Sequence, residues 1–200
     1  MSGLKNEPIA GGKFLNFKDG KIISAVNGAK EEYTSIEGLL TELDIVDEEY
    51  KGREYRKIVL FIKDDEGNEW KLGFPLESGY GNAFCSIAPN IDYAKPVKIS
   101  GGVKEMENEK TYGMIFVRQP DTAGEWKSLK WFYTKESKEV PSGVKTKDRS
   151  GEYMDFTERN DFFHRLLIEK IRPAILGNLN GVKKSESAPK VEKKSDVKKK

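Results

Sequence analysis

The sequence predicts a mainly β chain: a five-stranded Greek-key barrel carrying an N-terminal hairpin, an extra aromatic strand, a C-terminal helix and a disordered basic tail. Three observations carry this prediction. Short runs of alternating apolar and polar residues recur between Gly, Asp and Asn turn pairs. One long run changes the parity of its apolar positions, as a bent strand must. Only one extended segment, near the C-terminus, has helical spacing.

Residues 1–12, with Gly11 and Gly12, read as a flexible leader. Lys13 to Val26 reads as a hairpin around Asp19-Gly20, a strong turn pair. Asn27-Gly28 and AKEE connect it to the central block, Tyr33 to Gln119. There TSIEGLLTELDIVDEEY places Ile36, Gly38 and Leu40 on one face and then Leu43 and Ile45 on the odd positions. An extra residue near Thr41-Glu42 explains the change as a β-bulge, with Gly38 allowing a sharp bend. REYRKIVLFIKD is a second strand, DDEGN a tight turn, and EWKLGFPL a third strand with Trp70, Leu72 and Phe74 alternating. SGYGNAFCSIA allows one or two helical turns, and PNIDYAKP is a rigid connector. KPVKISGGVKEM and KTYGMIFVRQ are strands four and five, joined through Glu107-Asn108-Glu109. EWKSLKWFYT is a sixth strand, and Glu136 to Gly151 a long polar loop. Phe156, Phe163, Leu166, Leu167 and Ile171 space an amphipathic helix from Asp155 to a terminating Pro173, with Thr157 or Asp155 as its cap. The foldable unit is 13–176. The segment 177–200 is a lysine-rich tail whose last nineteen residues hold eight lysines and three acids but no aromatic residue. That tail carries +5, so against a whole-chain charge of +2 the body is about −3.

Bent strand, strand, strand, short helix, strand, strand is the order of the OB-fold, a barrel that commonly binds oligonucleotides and oligosaccharides. The segments IEGLLTEL and FPLESGYGNAFCSIAPNIDYAKPVKI, with the two strands between them, resemble the single-stranded DNA-binding proteins of bacteriophages. The resemblance covers about residues 33–119 and rests on layout and one loosely defined segment. It implies a non-enzymatic protein that protects single strands during phage DNA replication or recombination, in the host cytoplasm. Many proteins of that class end in an acidic tail that recruits replication partners. The lysines here depart from that pattern and put that recruitment in doubt.

Composition narrows the chemistry. No run of eighteen apolar residues exists to span a membrane, and MSGLKNEPIAGG lacks the apolar stretch of a secretory signal. Cys85 is the only cysteine, which excludes an internal disulfide and any cysteine-rich zinc site and fits a reducing cytoplasm. His164 is the only histidine and lies in the apolar helix. No phosphate-loop, nucleophile-elbow or HExxH motif is present. Asp64, Asp65 and Glu66 read as turn residues rather than metal ligands. No cofactor and no enzymatic activity are expected.

Strand parity selects the candidate binding residues. With Ile58, Leu60 and Ile62 inward, strand two presents Arg53, Tyr55, Lys57, Phe61 and Lys63 outward, with Val59 among them. Lys71 lies opposite Trp70, Leu72 and Phe74, beside Gly73, which would let a backbone or base approach closely. With Ile115 and Val117 inward, Tyr112, Met114, Phe116 and Arg118 face out. Tyr80 sits at the tip of SGYGN. Trp126, Trp131, Phe132 and Tyr133 interleave with Lys127 and Lys130, leaving at least one ring, Trp131 among the candidates, exposed at an interface. Cations follow phosphates and rings stack on unpaired bases, at about 1–3 kcal/mol per base. The expected partner is therefore single-stranded DNA, bound with little sequence preference, with replication or recombination proteins and a second copy of the chain as further partners. The alternative is a protein-interaction or assembly module with an aromatic interface, which the acidic body favours.

Overall fold

The computed structural model describes residues 13–26, 29–105, 111–148 and 151–178. The leader, the Asn27-Gly28 and Glu107-Asn108-Glu109 connections and nearly all of the tail lie outside the described residues. The chain is mainly β. β1 (Lys13–Lys18) and β2 (Lys21–Val26) form the expected hairpin, with Asp19 and Gly20 both at positive φ (51° and 78°), as a primed turn requires. β3 (Ala29–Tyr33) adds a third antiparallel strand.

β4 (Ser35–Tyr50) is the long bent strand. Its register with β5 (Arg53–Lys63) shifts between Leu40 and Glu42, and the buried positions change from Ile36, Gly38 and Leu40 to Leu43. At the bulge the Thr41 hydroxyl donates to the Phe61 carbonyl, 3.2 Å away. Residues Ser35–Gly38 of the same strand pair instead with β7 (Val97–Glu105). β4 thus changes partner at Gly38, where a Cβ would lie 2.4 Å from the Lys63 carbonyl oxygen.

β5 turns into β6 (Glu69–Pro75) through residues organised by Asp64. Its carboxylate accepts the Glu66 and Asn68 backbone N–H groups (3.0 and 2.8 Å) and the Trp70 indole N–H (3.0 Å). Asp64 is therefore a turn residue, held below the usual carboxylate range first by the Trp70 hydrogen bond and then by Asn68. Ser78 caps α1 (Gly79–Ile87), accepting the Gly81 N–H at 3.1 Å. β8 (Thr111–Pro120) pairs with β7 and with the three-residue β9 (Trp126–Ser128).

The strands form one nine-stranded sheet, β3-β2-β1-β6-β5-β4-β7-β8-β9, antiparallel except where β1 runs parallel to β6. The sheet is not closed into the expected five-stranded barrel. β1 occupies the free edge of β6, and among the described residues no ladder joins β6 to β8. Side chains bridge that seam instead. Tyr80 of α1 stacks on Phe17 of β1 (4.6 Å between centroids), and its hydroxyl accepts the Gly20 N–H at 2.9 Å. The Tyr80 ring lies so close to Gly113 of β8 that a Cβ there would be 2.4 Å from it. The inward sets Ile58, Leu60, Ile62; Leu72, Phe74; and Ile115, Val117 are buried in one core. Trp70 is only half-buried.

Three further expectations are corrected. The aromatic strand predicted over 125–134 is a strand only at β9, because Phe132 and Tyr133 both donate their N–H groups to the Ser86 carbonyl of α1 rather than to a ladder. The predicted polar loop contains β10 (Val144–Asp148) and β11 (Gly151–Asp155), a separate antiparallel pair. α2 (Thr157–Leu166) begins where the Asp155 carboxylate accepts the Thr157 N–H at 2.9 Å. It then passes Pro173 and runs on to 178. A π turn over Leu167–Ile171, with the Arg172 N–H reaching the Leu167 carbonyl, widens the helix just before the proline that would otherwise clash. Phe163, Leu166, Leu167, Ile171 and Ile175 pack this helix into the common core. No helix among the described residues is long and apolar enough to cross a membrane.

Candidate nucleic-acid interface

The predicted residues divide between two faces, with Tyr80 enclosed between them in the packing just described. On the outer face of β5 and β6, ladder register aligns Phe61, Lys71 and, from β1, Phe14 in one row. The Lys71 ammonium lies 5.2 Å from the Phe61 ring and 5.5 Å from the Phe14 ring, held by the negative faces of both. Phe14 is 45 % exposed. Farther along β5 the pattern is self-satisfied. The Tyr55 hydroxyl donates to Glu48 of β4, and the Lys57 ammonium lies 3.1 Å from the same carboxylate. The Tyr55 hydrogen bond foremost, with Lys57, holds the Glu48 carboxyl below its ordinary range against the opposing effect of burial. The Lys57 stem also fills the space over Gly73, where a Cβ would meet it at 2.5 Å, so that glycine accommodates a side chain of the protein itself. Val59, expected outward, is buried beside it. Arg53 and Lys63 remain exposed at the two ends of β5.

The second face belongs to β7 and β8. Ile115 and Val117 point into the core, and the alternate residues Tyr112, Met114, Phe116 and Arg118 form the outer row. Tyr112 and Phe116 are 36 % and 43 % exposed. Phe116 lies across Gly102 of β7, where a Cβ would be 2.7 Å from the ring, so the missing side chain lets the ring lie over the neighbouring strand. Lys98, opposite Arg118, is claimed by Glu37 (3.2 Å) and lies 5.6 Å from the Trp126 ring. Arg118 has no carboxylate partner among the described residues, and neither does Lys104, which faces Tyr112 across the ladder.

Beyond Tyr112 the outer row runs into a cleft of about 380 Å³ between β8, α1, the 131–135 segment and α2. The local chain path explains how that segment is held. Besides the two N–H groups bound by Ser86, the Asn90 amide donates to the Lys130 carbonyl at 3.0 Å. Tyr133 is buried against Phe162 and Phe163, with centroids 5.5 and 6.2 Å away. Anchoring on either side leaves Trp131 in the cleft wall, 41 % exposed. Lys104, Lys135 and Arg159 also line the cleft, and no described lining residue is acidic. The Arg159 guanidinium is stacked 4.1 Å from the Phe156 ring, and its Nε is buried without a hydrogen-bond partner. Burial pulls its pKa down, with only the Tyr112 hydroxyl acting in the other direction.

The sequence nominated Tyr112, Phe116, Arg118 and Trp131 of this face but missed Lys104, Lys135 and Arg159, and on the other face it missed Phe14. Phe14 had a legible signal, the alternation KFLNFK. Arg159 had none, since a cation near the start of a helix reads as a solvated charge. Among the described residues no group of acids, histidine and cysteine could hold a metal ion. Compared with known proteins, the chain matches no family model, no curated protein and no solved structure.

Proposed function

We propose that the chain is a non-enzymatic single-stranded DNA-binding protein of low sequence preference, with β4 to β8 serving as an OB-fold-like core opened by the N-terminal hairpin. One observation carries the reading: exposed Tyr112, Phe116 and Trp131 share a surface with Arg118, Lys104, Lys135 and Arg159, cations that no described carboxylate neutralises. Rings that stack on any base and cations that follow the phosphates give affinity without base readout. The resemblance to phage single-strand binders supports a role in protecting strands during replication or recombination. The tail would add a second, weaker phosphate contact and raise avidity.

The test is a fluorescence-anisotropy titration of single-stranded and duplex oligonucleotides, with the full chain and with a chain ending at Gly181. Retained preference for single strands without the tail, with quenching of tryptophan emission, is the expected result. A second reading, a protein-assembly module, is favoured by exposed Val144, Tyr153 and Met154 on β10 and β11. Binding that vanishes with the tail, or that is equal for duplex, selects this reading instead.

A further inference from the structure

The geometry points to the cleft beside Tyr112 as a pocket for one unstacked nucleotide, its base against Tyr112 and Trp131 and its phosphate on Arg159. This deepens the proposed single-strand reading and rests on it. Size comes first. At about 380 Å³ the cleft is at the small end of the range for ligand pockets, roughly 300–1,000 Å³. It accepts a single nucleotide rather than a run of them. Charge comes second. Arg159 is partly withdrawn from water, and among the described residues it has a ring under it but neither a carboxylate nor a hydrogen-bond acceptor. A desolvated cation left without a counter-charge is costly, and a phosphate offers that planar guanidinium a matching pair of acceptors. Lys104 and Lys135 lie on the same cleft and raise the local anion affinity.

The third element is an orphan acceptor. Asn82 of α1 lines the cleft, and its Oδ1 is buried without a partner. Its Nδ2 donates to the Ser78 carbonyl at 2.8 Å, so flipping the amide would set two oxygens against each other. The acceptor assignment is therefore fixed. That oxygen is closed to water, so a base N–H, which each nucleobase carries, satisfies it only once the Asn82 side chain turns toward the cleft. Rings, orphan acceptor and unpaired guanidinium together match base and phosphate of one nucleotide.

The pocket would be filled either by a strand end or by an interior nucleotide turned out of the strand. The full-length protein is titrated with thymidine 5′-monophosphate and, in parallel, with a labelled oligonucleotide. Arg159→Gln and Lys104→Gln are the pocket variants, and Lys51→Gln, exposed in the β4–β5 turn, is the control. Thermal melts confirm folding, and Lys104 is exposed enough that its replacement leaves packing intact. The expected result is a fall in monophosphate affinity of about tenfold for Arg159→Gln and a smaller fall for Lys104→Gln, with Lys51→Gln unchanged. Trp131→Phe should remove most of the fluorescence response. Tighter binding of a 5′- or 3′-phosphorylated linear strand than of its unphosphorylated form assigns the pocket to ends. Equal binding of linear and circular strands assigns it to interior nucleotides. No monophosphate binding with oligonucleotide binding intact overturns the pocket and leaves the proposed function standing. Unchanged monophosphate affinity in both pocket variants also overturns the pocket. Loss of all single-strand binding by the wild-type body overturns the functional reading itself.

Discussion

Replacing Arg118 by Gln should flatten the salt dependence of single-strand binding by a calculable amount. The β8 face and its cleft present four cations without carboxylate partners among the described residues: Lys104, Arg118, Lys135 and Arg159. If each takes one phosphate, log K should fall against log salt with a slope of about −2.8 for single strands. Between 50 and 200 mM salt that is a loss of roughly 50-fold. Arg118→Gln removes one contact, giving a slope of about −2.1 and a loss of roughly 20-fold over the same interval. The residue is exposed on the outer row of β8, so the substitution should leave the melting temperature within a degree or two. Anisotropy titrations at four salt concentrations, using the chain ending at Gly181, read the slope without the eight tail lysines. An unchanged slope in the variant, or a slope near zero in the truncated wild type, refutes the assignment of phosphates to this face.

Other outcomes follow from packing and titration. Gly38→Ala places a methyl group 2.4 Å from the Lys63 carbonyl, which cannot swing aside as a side-chain tip could. It should cost about 1–3 kcal/mol, and calorimetry with an unchanged Tm would show that the β4 crossover is more plastic than its geometry. Because the folded pKa of Glu48 lies below its unfolded value, its stabilisation is fully present above the unfolded pKa and is lost as pH falls through the folded one. The stability difference between wild type and Glu48→Gln, from urea midpoints, should therefore shrink below about pH 4.3. Cys85 is fully buried and burial pushes its thiol pKa up, so labelling by a disulfide reagent should wait for unfolding. Rapid labelling of the native chain would contradict that packing.

Local signals in the sequence carried well, and long-range pairing did not. Asp19-Gly20 specifies a turn by its own backbone preference, and the parity change from Leu40 to Leu43 requires a bulge whatever surrounds it. The edge that β1 pairs with is a different kind of question. KFLNFK alternates like any half-buried strand, and nothing local says that it will take the free edge of β6 and leave the barrel unclosed. The stretch 125–134 reads as one strand because its aromatics alternate, whereas beyond β9 the Phe132 and Tyr133 N–H groups go to α1. β10 and β11 were missed because VKTKD and GEYMD place too few apolar residues on one face to mark a strand. Tyr80 looked exposed between glycines, but the α1 cap turns it into the seam beside Phe17. Arg159 becomes notable only when three other elements converge on it.

The acidic body charge, which favoured an assembly module, is unevenly placed, and its placement favours the β8 face for the proposed strand binding. β4 alone carries Glu37, Glu42, Asp44, Asp47, Glu48 and Glu49 and no cation, whereas β7 and β8 carry Lys98, Lys104 and Arg118 against Glu105. The acids of β4 lie beside the cations of β5: Asp47 is opposite Arg56 in the ladder, and Glu48 holds Lys57. Of the cations predicted on β5, Lys57 is therefore cancelled by its neighbour while Arg53 and Lys63 stay exposed at the strand ends, and the β8 row keeps Arg118 and Lys104 unpaired among the described residues. Glu48→Gln separates the two faces. It releases Lys57 and removes one negative charge beside β5, so a strand lying on that face would bind more tightly and with a slope steeper by about 0.7. A strand lying on β8 should be bound with nearly unchanged affinity and slope, which is the expected result. Tighter binding with the steeper slope would move the interface to the Phe14–Lys71–Phe61 row and leave the β8 rings to another partner.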